Sequence, residues 1–280
     1  GAQDAMDFFQ RYCANNPERT IEAADIFLKI ARRLERLHAS IRLRSVTDIA
    51  HARLLAVAVM LDESLSDVEQ NEVLDHWQKV TFRIFSLCGK DSRTKVGDYT
   101  RLAQRIHGDK MPKEQLIQKV DSLADQHSLD EGIKRLATIN CYDEWPNEDL
   151  LYFFYRYEEH LAEKAGVRIS PAVWEGIWST SPTNTIEHIC PQTPGPEWQG
   201  KLGEPKEFEK HVNRLGNLMI LPPGVNSQAR NKPFKGKKKI YRKNRQLKLM
   251  DEVIAKRDWN RKAIADRERR LLRWAKNAWG

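Results

Sequence analysis

From residue 1 to about residue 180, apolar side chains recur every three or four positions, the period of a helix with one face turned to a core. Thr20 is placed to cap a helix whose Ile21, Ala24, Phe27, Leu28, Ala31, Leu34 and Leu37 fall on a single face. The same spacing predicts helices over 54–61, 73–88, 99–106 and 116–124, separated by polar breaks at 89–92 and 108–110 that read as interhelical loops. A further helix is expected over 150–165, burying Phe153, Phe154, Tyr157 and Leu161, with Gly166 placed to stop it. No internal repeat, low-complexity tract, G-x-G-x-x-G, phosphate-loop Gly-Lys-Ser/Thr or H-E-x-x-H interrupts this half. Residues 1–180 therefore read as a helical bundle.

The texture changes after Trp178. Residues 179–184 form a Ser/Thr/Pro/Asn linker, and 185–189 alternate as a short strand does. A loop holding Pro191, Pro194, Gly195, Pro196, Gly200, Gly203 and Pro205 leads to a second apolar run, 218–221, which stops at Pro222-Pro223-Gly224. A polar segment opening at Val225, a basic tract over 232–243 and a terminal helix over about 258–278 complete the chain. The order strand, long loop, strand, helix describes a small mixed module over 181–280, attached to a helical body. The fold class is mainly α.

Composition sets bounds on this picture. A chain of 280 residues with 40% apolar and 9% aromatic residues can bury a core, and its length suits two domains. No stretch approaches the roughly 18 apolar residues of a membrane span, and the N-terminus lacks the basic-then-apolar pattern of a secretion signal, so a soluble, cytoplasmic protein is expected. The chain opens Gly1-Ala2 without an initiator Met, as a tag remnant or a fragment would. Cys13, Cys88, Cys141 and Cys190 form no C-x-x-C pair, which points to reduced thiols rather than zinc or disulfides. Charge is uneven: from residue 184 onward there are 23 Lys and Arg against 10 Asp and Glu, whereas the rest of the chain is mildly acidic. A basic third on an acidic body suits a polyanion partner, of which nucleic acid is the commonest.

The small module carries polar residues suited to phosphodiester hydrolysis, which needs a base for water and positive charge at the phosphate. His188 can supply the base, because a neutral imidazole titrates near working pH. Glu187, Asn226 and Asn231 carry oxygens that suit magnesium or manganese better than zinc. Adjacent strand residues point to opposite faces, so Glu187 and His188 can share one site only if the strand breaks near 189–191.

The runs TIEHICPQ (185–192), RLGNLMILPPGVN (214–226) and NKPFKGKKKIY (231–241) together resemble the HNH, or His-Me finger, nucleases. More narrowly they are similar to the C-terminal nuclease domain of the GmrSD-type modification-dependent restriction enzymes and their phosphorothioate-sensing SspE relatives. LLYFFYRYEEHLAEK (150–164) resembles the helix that precedes that domain. The resemblance implies a ββα-metal finger that nicks or cuts double-stranded DNA with magnesium or manganese, in a prokaryotic antiphage system. It implies His188 as general base, Asn217 as the residue fixing the imidazole through the hairpin, and Glu187 with Asn226 as metal ligands, Asn231 being a second candidate for the last position. Three positions depart from the family pattern: Arg230 replaces a small polar residue, Met219 a Thr and Cys190 an aliphatic. The N-terminal sensor half of such enzymes carries an Asp-Gly-Gln-Gln-Arg-like motif. That motif is not found in this chain, which is therefore expected to resemble the part that follows the sensor.

Beside the nuclease motif, Arg230, Lys232, Lys235, Lys237, Lys238, Lys239, Arg242 and Lys243, with Arg245, are expected to hold DNA phosphates without reading sequence. The same expectation covers Arg257, Arg261, Arg267, Arg269, Arg270 and Arg273 near the C-terminus. Trp259, Trp274 and Trp279 suit either base stacking or anchorage of the last helix, the second being commoner. His38, His51, His76, His107, His127 and His160 read as structural or surface residues without nearby partners, and His211 as intermediate. The rival reading is a non-catalytic basic DNA-binding or assembly module with a vestigial HNH motif, and self-association is left open.

Overall fold

The computed structural model describes residues 2–44, 46 and 48–280, with side chains for all of these but Ala2. Helix accounts for 69% and strand for 2% of it, so the mainly α class holds. The chain forms two compact units, Gly1–Phe82 with Lys90–Gln126, and Arg83–Gly89 with His127–Gly280. The change of texture near residue 180 falls inside the second unit, which therefore carries helices from the helical half together with the basic third.

The first unit contains α1 (Ala2–Cys13), α2 (Pro17–Ala39), α3 (Ile41–Arg44), α4 (Ala50–Leu61), α5 (Asp67–Thr81), α6 (Val96–Gly108) and α7 (Lys113–Ser122). Its core lies where α4 meets α5 and α6, with Leu55, Val59, Val73, Leu74, Trp77 and Tyr99 buried. Trp77 Nε1 donates to the Ala52 carbonyl at 2.8 Å, so the indole is buried without an unmet donor. Ser66 and Glu69 close a reciprocal capping box at the start of α5. In α2 the expected Thr20 cap is replaced by Asn16, whose side chain accepts from the Arg19 amide, because the helix starts a turn earlier at Pro17. The apolar stripe of α2 is only partly covered: Leu37 is buried, but Ile21, Phe27 and Leu28 stay exposed. His76, expected to lack a partner, meets Asp121 at 2.9 Å.

The second unit contains α8 (Leu129–Leu136), α9 (Cys141–Glu144), α10 (Asn147–Lys164), α11 (Pro171–Trp178), α12 (Pro182–Thr185), β1 (Ile186–His188), α13 (Pro205–Val212), β2 (Leu218–Ile220), α14 (Val225–Ala229), α15 (Phe234–Lys243), α16 (Lys248–Ile254) and α17 (Arg261–Ala278). The expected helix over 150–165 is α10; Gly166 follows it at φ +64°, a left-handed conformation that glycine adopts freely. The two strands pair antiparallel with Glu187 opposite Met219 and His188 opposite Leu218. Strand, loop, strand and helix thus follow in the expected order, although the loop gains α13 and the polar-basic segment divides into α14 and α15. Arg230 sits at that division with φ +40°, a strained value for a residue with a Cβ. The last helix begins at Arg261 rather than about 258, because the Asn260 side chain caps it by accepting from the Ala263 amide.

The turn before β2, residues 215–217, is pressed against α17. A Cβ built at Gly216 would lie 2.2 Å from the Ile264 carbonyl oxygen and 2.9 Å from the Glu268 Cβ, so backbone of the turn touches backbone of the helix. Trp274 and Trp279 pack on Phe153 at ring-centroid distances of 5.3 and 5.6 Å, and Trp259 is fully buried. Anchorage, rather than base stacking, occupies all three indoles. Gly216→Ala should destabilise the protein by about 1–3 kcal/mol or more, the usual cost of forcing extra volume into a packed interior. A urea midpoint unchanged from wild type would show that this contact yields easily.

Candidate active site

The site is built on the pleat of β1. Glu187 and His188 are neighbours in an unbroken strand, so they point to opposite faces, and the break needed to bring them together does not occur before residue 189. The Glu187 side turns inward to α15, whose Phe234, Lys237 and Tyr241 form one buried face at helical spacing. Glu187 is 2% exposed and Lys237 0%. Glu187 Oε1 accepts from Lys237 Nζ at 2.7 Å and from the Tyr241 hydroxyl at 2.6 Å, and the same ammonium donates to the His188 carbonyl at 2.6 Å. Burial pushes the Glu187 carboxyl up and the Lys237 ammonium down, while the attraction between them opposes both shifts.

This geometry corrects two expectations. Glu187 is not available as a metal ligand, because its carboxylate is enclosed and already balanced by an ammonium. Lys237 does not reach DNA, because it is the buried partner of that carboxylate.

His188, on the other face, is half-buried. The Tyr142 ring of α9 meets the imidazole edge-on at 4.4 Å between centroids. Nε2 lies 2.9 Å from Asn213 Oδ1, and Asn213 Nδ2 donates to Asp143 Oδ2 at 2.5 Å. A carboxylate only accepts, so Asp143 takes the amide NH2 of Asn213 and leaves its oxygen for the ring. His188 Nε2 must then carry the proton, and the lone pair is on Nδ1. Gln192 Nε2 donates to the same Asn213 oxygen at 3.2 Å. Burial lowers the imidazole to about 4, the Asn213 bond opposing, so the ring is neutral at pH 7.

Asn217 is fully buried and acts through the backbone rather than on the ring. Its Oδ1 accepts from the Cys190 amide at 2.8 Å and from Trp259 Nε1 at 2.9 Å; its Nδ2 donates to the Cys190 and Val212 carbonyls at 2.8 and 2.7 Å. These bonds fix the chain just beyond β1 and thereby the strand end from which His188 projects. Asn226 donates through Nδ2 to the Ile186 carbonyl at 2.9 Å, tying α14 to the start of the strand, whereas Asn231 is exposed. Magnesium-type ions are ordinarily held by one or two carboxylates together with substrate phosphates. Without Glu187, the expected set is reduced to two neutral amide oxygens, and it does not fit such an ion. Among the described residues no three His, Cys, Asp or Glu side chains converge as a metal cluster would.

The basic residues divide by face. Arg230, Lys232, Lys235, Lys239, Arg242, Lys243 and Arg245 are exposed. Lys238 is tied down, donating to the Lys256 carbonyl at 2.8 Å and lying 5.0 Å from the Phe234 ring centre. Arg257, Arg261, Arg269 and Arg273 are exposed as well. Arg267 is the exception: it is fully buried and donates through Nη1 to the Gly216 and Leu218 carbonyls at 3.1 and 2.6 Å, so it holds the turn before β2 instead of DNA. Arg270 is half-buried with Nη2 3.0 Å from Glu252.

No sequence motif marks Asp143, Asn213 or Tyr142. Asp143 and Tyr142 come from α9, far upstream and without any motif, and only the nearness of Asn213 to Asn217 hinted at a role.

The sequence profile of the C-terminal domain of GmrSD restriction endonucleases matches residues 126–274. The chain belongs to this family, and its function is related to that of a restriction endonuclease. A search of curated proteins finds no match. No helix among the described residues is long and apolar enough to cross a membrane.

Two outcomes follow from the site. Glu187→Gln or Lys237→Met alone should cost about 3–5 kcal/mol of unfolding free energy, by leaving one charge buried without its counter-charge, and the double variant should recover much of it. Additive losses in a double-mutant cycle would contradict the pairing. The unfolded chain protonates His188 near 6.5, whereas the folded one resists until about 4. Its contribution to stability is therefore complete above about 6.5 and lost as pH falls toward 4. In urea titrations between pH 7 and pH 4, His188→Gln should lose stability less steeply than wild type; parallel curves would refute the depressed value.

Proposed function

We propose that this chain is the nuclease part of a modification-dependent restriction enzyme of prokaryotic antiphage defence, acting on double-stranded DNA in the cytoplasm. In this reading 181–280 form an HNH module whose β1, β2 and following helix correspond to a ββα finger, with 1–180 as its helical body. His188 is the general base for phosphodiester hydrolysis.

One observation carries the reading: a neutral imidazole is held through Nε2, with no hydrogen-bond partner on Nδ1 among the described residues, at the edge of a hairpin followed by exposed cations. A water beside Nδ1 would give up its proton there as its oxygen bonds to phosphorus, while the bond from phosphorus to the 3′ oxygen breaks and that oxygen leaves with a proton from solvent. Arg230, Lys232, Lys235, Lys239, Arg242 and Lys243 would hold the DNA backbone, chiefly by charge. Asn217 keeps the strand end in place. Dependence on magnesium or manganese belongs to the proposal as an expectation of the family. No step is assigned to the ion, because Glu187 is committed elsewhere and the amide oxygens of Asn226 and Asn231 alone do not fit it. The parent enzyme's sensor would supply the trigger.

The engagement of Glu187 by Lys237 also favours the rival reading, a DNA-binding module that has lost hydrolysis. A plasmid-nicking assay separates the two. Wild-type chain should nick supercoiled DNA with magnesium or manganese, chelator should suppress nicking, and His188→Ala should reduce it by at least about 100-fold with DNA affinity retained. Undiminished cleavage by that variant rejects His188 as base. Binding without chelator-sensitive nicking, in the presence of the sensor half, supports the rival. Replacing Lys235, Lys239 and Arg242 by Ala should lower affinity and flatten its dependence on log salt by about 0.9 for each phosphate no longer neutralised.

A further inference from the structure

We propose that Asp143 and Asn213 form a strut that sets the tautomer and direction of the His188 ring, making them positioning residues for the hydrolytic site. The inference rests on the reading of His188 as the base.

The strut is defined by directional bonds. Asp143 Oδ2 receives the Asn213 amide at 2.5 Å, and Asn213 Oδ1 receives His188 Nε2 at 2.9 Å. Reversing the Asn213 amide would set its oxygen against a carboxylate, so the carboxylate dictates which end of the amide faces the ring. An amide oxygen can only accept, so the ring is confined to the Nε2–H form with Nδ1 as its basic atom. A ring without this constraint would distribute its proton between two nitrogens, and part of the population would present N–H where a base is needed.

Three further contacts hold the strut. Gln192 donates to the same Asn213 oxygen at 3.2 Å. The Tyr142 amide donates to the Asn213 carbonyl at 3.3 Å, joining α9 to the segment before Asn217. The Tyr142 ring then closes on the imidazole at 4.4 Å, which limits its rotation. Asp143 is exposed and Asn213 half-buried, so neither is needed to fill the core. Packing does not explain why a carboxylate, an amide and an imidazole from separate segments line up; orientation of the ring does.

The test uses the full chain and two independent readouts. Long-range 15N–1H NMR of the imidazoles, with the His188 signals assigned by their loss in His188→Ala, reports the tautomer directly. Wild type should be in the Nε2–H form, and Asn213→Ala and Asp143→Ala should move the ring to a mixture. In the nicking assay both variants should lose roughly 10- to 100-fold in kcat with little change in KM, the range seen when a supporting hydrogen-bond partner is removed. Asp143→Asn still offers an oxygen to Asn213 and should recover most of the loss. The double Ala variant should be no worse than Asn213→Ala, since Asp143 acts through Asn213. An unchanged tautomer in Asn213→Ala, or additive losses in the double variant, overturns the strut. The reading of His188 as base fails separately: there His188→Ala would nick like wild type whatever the ring NMR reports.

Discussion

A pleated strand cannot turn two successive side chains to the same face, and the site is organised around that constraint. In β1 the pleat commits Glu187 to the interior and His188 to the accessible face. Glu187 is tolerated inside because Lys237 and Tyr241 of α15 satisfy it there. A single buried carboxylate thus fastens the hairpin to the helix behind it, and the ammonium that balances its charge also grips the His188 carbonyl. The residue that resembles a metal ligand by position is, by geometry, the inner fastening of the strand that presents the imidazole. Such pairs add little net stability, yet they fix one arrangement of the elements they join, because any other leaves a bare charge in the interior.

The remaining anchors bear on the same few residues from other sides. Asn217 spends its side-chain bonds on Cys190, Val212 and Trp259, so the chain leaving β1 cannot drift from the turn that begins β2. Arg267 reaches from α17 to the Gly216 and Leu218 carbonyls, and Gly216 has no room for a Cβ against that helix. The C-terminal helix is therefore the platform against which the hairpin is set, which accounts for an arginine buried among aromatics, 5.5 Å from the Phe154 ring centre. The proposed role of His188 as base requires a support of this kind, since a base has to meet its water within a few tenths of an ångström.

The site also extends beyond the segment with the motifs. Tyr142 and Asp143 come from α9, within the second compact unit and within the region shared with the GmrSD restriction endonuclease C-terminal domain. The helices ahead of the hairpin are thus part of the imidazole's surroundings. The exposed cations of α15 lie opposite its Glu187-facing side, so one helix presents two unlike faces: Lys237 and Tyr241 inward, Lys235, Lys239 and Arg242 outward.

Much of this was legible along the chain. Periodicity located α4 to α7 and α10, alternation located β1, an apolar run stopped by Pro222-Pro223-Gly224 located β2, and three ordered runs marked the family, because each depends on residues close together in sequence. The Thr20 cap failed because Pro17 starts α2 a turn earlier, with Asn16 better placed to meet its free amides. Which lysine is buried could not be read from a tract of nearly identical cations; only the packing of α15 on β1 separates Lys237 from Lys235 and Lys239. Likewise nothing in the sequence joins Asp143 to Asn213, 70 positions apart. Local pattern determines which segments form helix or strand and which residue types are at hand. The direction of the His188 ring and the fate of the Glu187 charge were decided by contacts between distant segments, since hydrogen bonding and desolvation depend on what folding brings within about 3 Å.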